Sequence, residues 1–232
     1  AKLPDAPPGA KGISLFLIPK ILVNDDGSLG DRNGVTCVSI EEKMGVHGSP
    51  TCVLSFDNSV GYLVGEPHKG LEAMFSMMNN ERIAVGMQGL GVAEISYQNA
   101  LLYAKDRLQG RDLKGAKKPS EEADPLLVHP DIRRMLLRAK ALIDSSRMLS
   151  AWTALAIDKS VKDPDEKVRK ANHDLVELMT PIIKSILTDY GVEISSEMLQ
   201  IFGGHGYIRE YGMEQFYSCL LYTSDAADES TC

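Results

Sequence analysis

The chain changes its periodicity once, near Gly70, and that change limits what it can fold into. Before Gly70 the apolar runs are short, as in Ile13–Ile18 and Cys52–Phe56, and turn-rich stretches separate them. Asn24-Asp25-Asp26-Gly27 and Asp31-Arg32-Asn33-Gly34 have the composition of tight connections between strands. After Gly70 the apolar positions recur at three and four residues over long stretches, the mark of amphipathic helices. The expected architecture is therefore α+β: a partial antiparallel β domain over 1–69, with too few strands to close a sandwich, then an up-down α-helical bundle over 70–217.

The helical part reads as follows. A first helix is expected over Leu71–Leu108, with Met74, Met78 and Val85 in one stripe. Gly86, Gly89 and Gly91 inside it each cost about 1 kcal/mol relative to Ala, so a second helix should approach closely there. Residues 109–130 form a polar excursion, followed by a helix over Asp131–Lys159. Asp163-Pro164-Asp165 signals another helix start, with proline in the first turn and acids facing the positive end of the dipole. Thr180-Pro181 should break or restart that helix. The last helix should stop at Phe202, because Gly203-Gly204 follows.

Composition narrows the function. A formal charge of -7 argues against non-specific nucleic-acid binding, and no apolar run is long enough to suggest a membrane span. Cys37 and Cys52 are too few for a disulfide framework and lack metal-ligand spacing, so they are expected to be buried thiols in a reducing compartment. No metal site is expected.

Three segments occur in a telling order. Lys43-Met44-Gly45-Val46-His47-Gly48-Ser49-Pro50-Thr51 comes first, with Phe56-Asp57 and Leu63-Val64-Gly65-Glu66 after it. The second runs from Gly70-Leu71 through Asn80-Glu81-Arg82, and the third is Gln200-Ile201-Phe202-Gly203-Gly204-His205-Gly206 with Glu210-Tyr211. In this order and spacing the set resembles the acyl-CoA dehydrogenases, over about residues 12–217. The stretch Asp106–Arg111 and the link ending Val128–Met135 are similar to an enlarged subgroup of broad-range fatty acyl-CoA and 3-methylmercaptopropionyl-CoA dehydrogenases.

The resemblance implies FAD-dependent removal of two hydrogens from an acyl-CoA thioester, giving the trans-2-enoyl product, with electrons passed to an electron-transfer flavoprotein. It implies a homo-oligomer, dimer or tetramer, because the glycine-rich third segment meets the FAD of a neighbouring subunit. The residues it assigns to the cofactor are Arg107, Gln109, Gln200, Gly203, Gly204 and Gly206. Glycines there let backbone approach a diphosphate, although the same pair also serves as a helix stop. His205 receives no chemical role. Arg82 matches an arginine near the active site and is expected to support it. The family's usual base lies in a loop after the third segment. Some members carry it on the first helix instead, where Glu81 falls. Burial in the stripe with Met74 and Met78 would give Glu81 the basicity of a general base; a plain ion pair with a neighbouring helix is the alternative.

Residues Cys219–Glu229 resemble a translated sequencing-library adapter, so 218–232 is expected to be a non-native tail and the chain an incomplete, by itself inactive, piece. A prokaryotic, cytoplasmic source is the accompanying expectation. Two rivals stand beside the dehydrogenase: an acyl-CoA oxidase, and a non-catalytic helical scaffold.

Overall fold

The structure is a computed structural model that describes residues 1–225, with side chains through Leu221; residues 226–232 of the expected tail lie outside the described residues. Two compact units divide the chain, Ala1–Glu81 and Arg82–Cys232.

In the first unit six short strands form three two-stranded antiparallel pairs. They are β1 (Leu15–Leu17) with β6 (Tyr62–Val64), β2 (Ile21–Val23) with β3 (Leu29–Arg32), and β4 (Val35–Ile40) with β5 (Cys52–Phe56). Asn24–Gly27 makes the expected hairpin turn, with the Gly27 N–H donating to the Asn24 carbonyl at 2.9 Å and Gly27 at φ 83°. Asn33-Gly34 does something else: it carries the chain from one sheet to another. Asn33 is buried, and its side chain joins three segments, donating to the carbonyls of Pro19 and Val60 at 2.8 Å and accepting from the Val60 N–H at 2.9 Å. The expectation of buried thiols fails, since Cys37 and Cys52 are both exposed on β4 and β5. A hydrogen bond between them pushes the Cys52 thiol up.

The helical elements are α1 (Gly70–Asp106), α2 (Pro130–Lys162), α3 (Glu166–Ile201) and α4 (Met213–Asp225). Pro130 opens α2 at its first turn, and the Asp165 carboxylate caps α3 by accepting from the Lys167 N–H at 2.8 Å. The expected break at Thr180-Pro181 does not occur: α3 runs through it unbroken. Proline removes the N–H that would meet the Glu177 carbonyl, and buried Met179 and Ile183 hold the flanking turns in the core.

Heptad-like seams build the bundle core. Met135, Ala139, Ile143, Ser150 and Thr153 of α2 are buried, as are Ile183, Leu187, Ile194 and Met198 of α3. Burying one such Ile or Leu side chain contributes about 1.5–3 kcal/mol. Apart from Leu90, the buried seam of α1 is made of small residues, including Ala93, Ser96, Ala100 and Ala104, which lets its backbone come close to α3. A Cβ on Gly89 would stand 2.6 Å from the Leu187 carbonyl oxygen, and one on Gly191 would stand 3.1 Å from the Gly89 carbonyl oxygen. Gly86 faces Ile183 in the same way, but Gly91 faces open space, so two of the three expected glycines serve the crossing. Ser218–Leu221 continue α4, and Leu220 is fully buried against Gly191.

Candidate functional site

Gly203 ends α3 at φ 58°, in the left-handed region that favours glycine, and turns the chain into a short 3-10 segment, Gly203–Tyr207. That turn meets the end of α1. Tyr103 sits on the last full turn of α1, and its ring stacks on Phe202 with centroids 4.1 Å apart. Its hydroxyl hydrogen-bonds Nδ1 of His205 at 2.8 Å, and the His205 ring stacks on Tyr211 at 4.4 Å. Four rings thus clamp the glycine turn onto the bundle.

The polar excursion closes the other side. Its base is tied by the Leu126 N–H to the Arg107 carbonyl at 2.9 Å and by the Gln109 N–H to the Asp124 carbonyl at 2.8 Å. His129 Nε2 hydrogen-bonds the Gln109 carbonyl at 2.7 Å. Inside the excursion Asp124 is fully buried and accepts from the N–H groups of Asp112 (3.0 Å), Lys117 (2.9 Å) and Lys118 (2.7 Å), with Arg111 at 3.4 Å. The Asp112 N–H above all, then those of Lys118 and Lys117 and the Arg111 charge, hold its carboxyl below the usual aspartate value.

Between these two walls lies a pocket of about 400 Å³ lined by Arg107, Gln109, Gln200, Gly203, Gly204 and His205, with Tyr103 and Phe202 beneath. Five of the six expected cofactor residues therefore converge. Gly206 does not line it. Gly206 is buried, and a Cβ there would stand 2.3 Å from the Leu199 carbonyl oxygen, so this position needs glycine for packing. The Gln200 amide is oriented by the Tyr207 hydroxyl, which donates to its Oε1 at 3.1 Å and leaves the NH₂ group to donate. One guanidinium and two carboxamides around a glycine turn form a donor set suited to a phosphate or diphosphate. That donor chemistry fits the phosphate-bearing part of a dinucleotide.

Glu81 and Arg82 stand apart from this pocket's lining. Glu81 is exposed, not buried in a stripe, and it makes no ion pair among the described residues. Arg82 is half-buried. Sequence reasoning missed Tyr103 and Tyr211 and left His205 without a role. Tyr103 lies on the last turn of α1, four residues before Arg107, but the partner that gives it a role, His205, is 102 residues away.

Strand pairs followed by a long-helix bundle, with a glycine turn in a polar pocket, place the described chain in the α+β class. The family described as acyl-CoA dehydrogenase, C-terminal domain, matches residues 68–224. The chain belongs to the acyl-CoA dehydrogenase family. It is 45% identical over 217 residues to 3-methylmercaptopropionyl-CoA dehydrogenase of Ruegeria pomeroyi, covering 94% of this chain and 36% of that protein. It is 38% identical over 232 residues to a butyryl-CoA dehydrogenase of Syntrophomonas wolfei, covering 96% of this chain and 38% of the relative. Among solved structures, butyryl-CoA dehydrogenase from Megasphaera elsdenii superposes with a TM-score of 0.68 at 27% identity, over 84% of this chain and 45% of that one. The chain thus spans little more than a third of the length of these two curated relatives. Among the described residues no helix is long and apolar enough to cross a membrane.

Proposed function

We propose that this chain is the C-terminal part of an FAD-dependent acyl-CoA dehydrogenase, a cytoplasmic homo-oligomer that oxidises an acyl-CoA thioester to its trans-2-enoyl product and passes the electrons to an electron-transfer flavoprotein. The observation that carries the reading is the convergence of Arg107, Gln109, Gln200, Gly203 and Gly204 on one polar pocket. In this reading Arg107 neutralises a phosphate, Gln109 and Gln200 donate to its oxygens, and Gly204 keeps the backbone clear for close approach. The cofactor half held here belongs to a second copy of the chain, so that binding and assembly are linked. Bound FAD supplies the two-electron acceptor.

Glu81 and Arg82 are what this chain offers to the acyl end of the reaction. Exposure makes a base role for Glu81 depend on cover from the rest of the protein. The test of the whole reading is light scattering of the protein with FAD present. A dimer or tetramer holding one flavin per copy, bleached by an acyl-CoA in the complete enzyme, is expected. A species that retains no flavin at any assembly state would overturn the reading. Rapid reoxidation of the reduced flavin by oxygen would instead make it an oxidase.

A further inference from the structure

The paired strands β4 and β5 each carry one cysteine, Cys37 and Cys52, and both are exposed. Leu54 stands directly opposite Cys37, and Cys52 precedes Leu54 by two residues, so side-chain alternation puts both thiols on one face. The register slips between Cys37 and Ser39, and at this irregularity the Cys37 thiol donates to the Ser39 carbonyl at 3.3 Å. With that proton engaged, the Cys37 sulfur is the acceptor in its hydrogen bond with the Cys52 thiol. This bond, above burial and the Cys37 charge, pushes the Cys52 thiol up, while the Lys43 charge works the other way. A thiolate at Cys37 keeps the hydrogen bond from Cys52 and strengthens it, so Cys37 is the group that attacks and Cys52 the one that resolves. A disulfide tolerates Cα atoms up to about 7 Å apart. Cys52 is the first residue of β5, bordering the irregular connection over 41–51, and can follow its sulfur toward the partner.

We propose that Cys37 and Cys52 form a reversible disulfide that staples β4 to β5, made by exchange with a low-molecular-weight disulfide such as oxidised glutathione. The Cys37 thiolate attacks one sulfur of that disulfide, forming a mixed disulfide and releasing one small thiolate. Cys52 then gives up its proton and attacks the Cys37 sulfur, releasing the second. Two protein thiols are oxidised, one small disulfide is reduced to two thiols, and the two cysteine protons pass to the released thiolates through solvent. In a reducing compartment the pair rests as the dithiol and closes when the small-thiol pool is oxidised. The bond closes a loop over residues 38–51, whose base is already tied by the Glu41 N–H donating to the Thr51 carbonyl at 2.8 Å. The inference is independent of the FAD pocket.

The experiment equilibrates the full chain against reduced and oxidised glutathione, in a background of Cys219→Ser and Cys232→Ser that leaves only this pair, and traps free thiols with N-ethylmaleimide. Trypsin then separates residues 33–43 from 44–69, and mass spectrometry reports whether the two peptides are joined. Joined peptides within a single copy on a non-reducing gel are expected. At the same total glutathione, half-oxidation should fall at a ratio of oxidised to reduced glutathione about tenfold or more below that which half-modifies Cys37→Ser or Cys52→Ser. Each single variant should instead carry one glutathione. Glutathione adducts on both thiols in place of the joined peptides, joining only between two copies, or a midpoint no lower than in the single variants would each overturn the proposal.

Discussion

The hydroxyl of Tyr103 and Nδ1 of His205 lie 2.8 Å apart, although 102 residues separate them in sequence. This bond joins the end of α1 to the glycine turn after α3, and both residues line the polar pocket. Tyr103→Phe keeps the stack on Phe202 and removes only the hydrogen bond. The expected result is a modest loss of stability, about 1 kcal/mol in denaturant unfolding, with a larger proportional loss in nucleotide affinity because the turn is no longer held. Equal affinity in the variant and the parent would show that the bond does not position the turn.

Gly89 and Gly91 make a matched pair for testing the helix crossing. A methyl group at Gly89 meets the Leu187 carbonyl oxygen at 2.6 Å, whereas one at Gly91 meets nothing within 4 Å. Gly89→Ala should cost about 1–3 kcal/mol from overpacking. Gly91→Ala should stabilise by up to about 1 kcal/mol from helix propensity alone. Urea unfolding of the two variants checks both signs.

Asp124 sets an acid limit on the polar excursion. Its carboxyl is held below the usual value by the Asp112 N–H first, then by Lys118, Lys117 and Arg111. A depressed folded-state value means that its stabilisation is present above the unfolded aspartate range, near about pH 4, and is lost as pH falls through the lower folded value. The protection of the Lys117 and Lys118 amides, taken as the intrinsic exchange rate at each pH over the observed one, should therefore be high at neutral pH and fall in acid. In Asp124→Asn the protection should be low throughout, with no acid step.

For Glu81, exposure leads the prediction. A base role would need cover that this chain does not give Glu81, and without it Glu81→Gln is expected to keep kcat within about threefold of the parent in the complete enzyme. A loss of about a hundredfold or more with flavin still bound would assign the base to Glu81.

Much of this fold was legible in the sequence, because it rests on local pattern. The change at Gly70, the cap at Asp165 and the stop at Gly203 are all written in neighbouring residues. The path through Pro181 was not, because the groups that hold α3 together there are set by tertiary burial of Met179 and Ile183. Nor was the exposure of Cys37 and Cys52, which depends on what covers a sheet face rather than on residue type. In the site, the glycine turn and Arg107 could be found by resemblance. Tyr103 could not, because its role comes from a contact with His205 across the bundle. The packing role of Gly206 was hidden for the same reason: the Leu199 carbonyl that demands a glycine is visible only in the fold.

The most direct test of the phosphate-pocket assignment is an ADP titration of the chain, followed by the backbone amide signals of Gly203, Gly204 and His205. ADP carries the diphosphate of FAD without the flavin. Gly204 is suited to the comparison because a Cβ there meets nothing within 4 Å, so Gly204→Val should fold and melt like the parent. The account predicts saturable shifts at these amides in the parent, weakened about tenfold or more in Gly204→Val and in Arg107→Ala. Absence of saturable shifts, or undiminished binding in both variants, would contradict it.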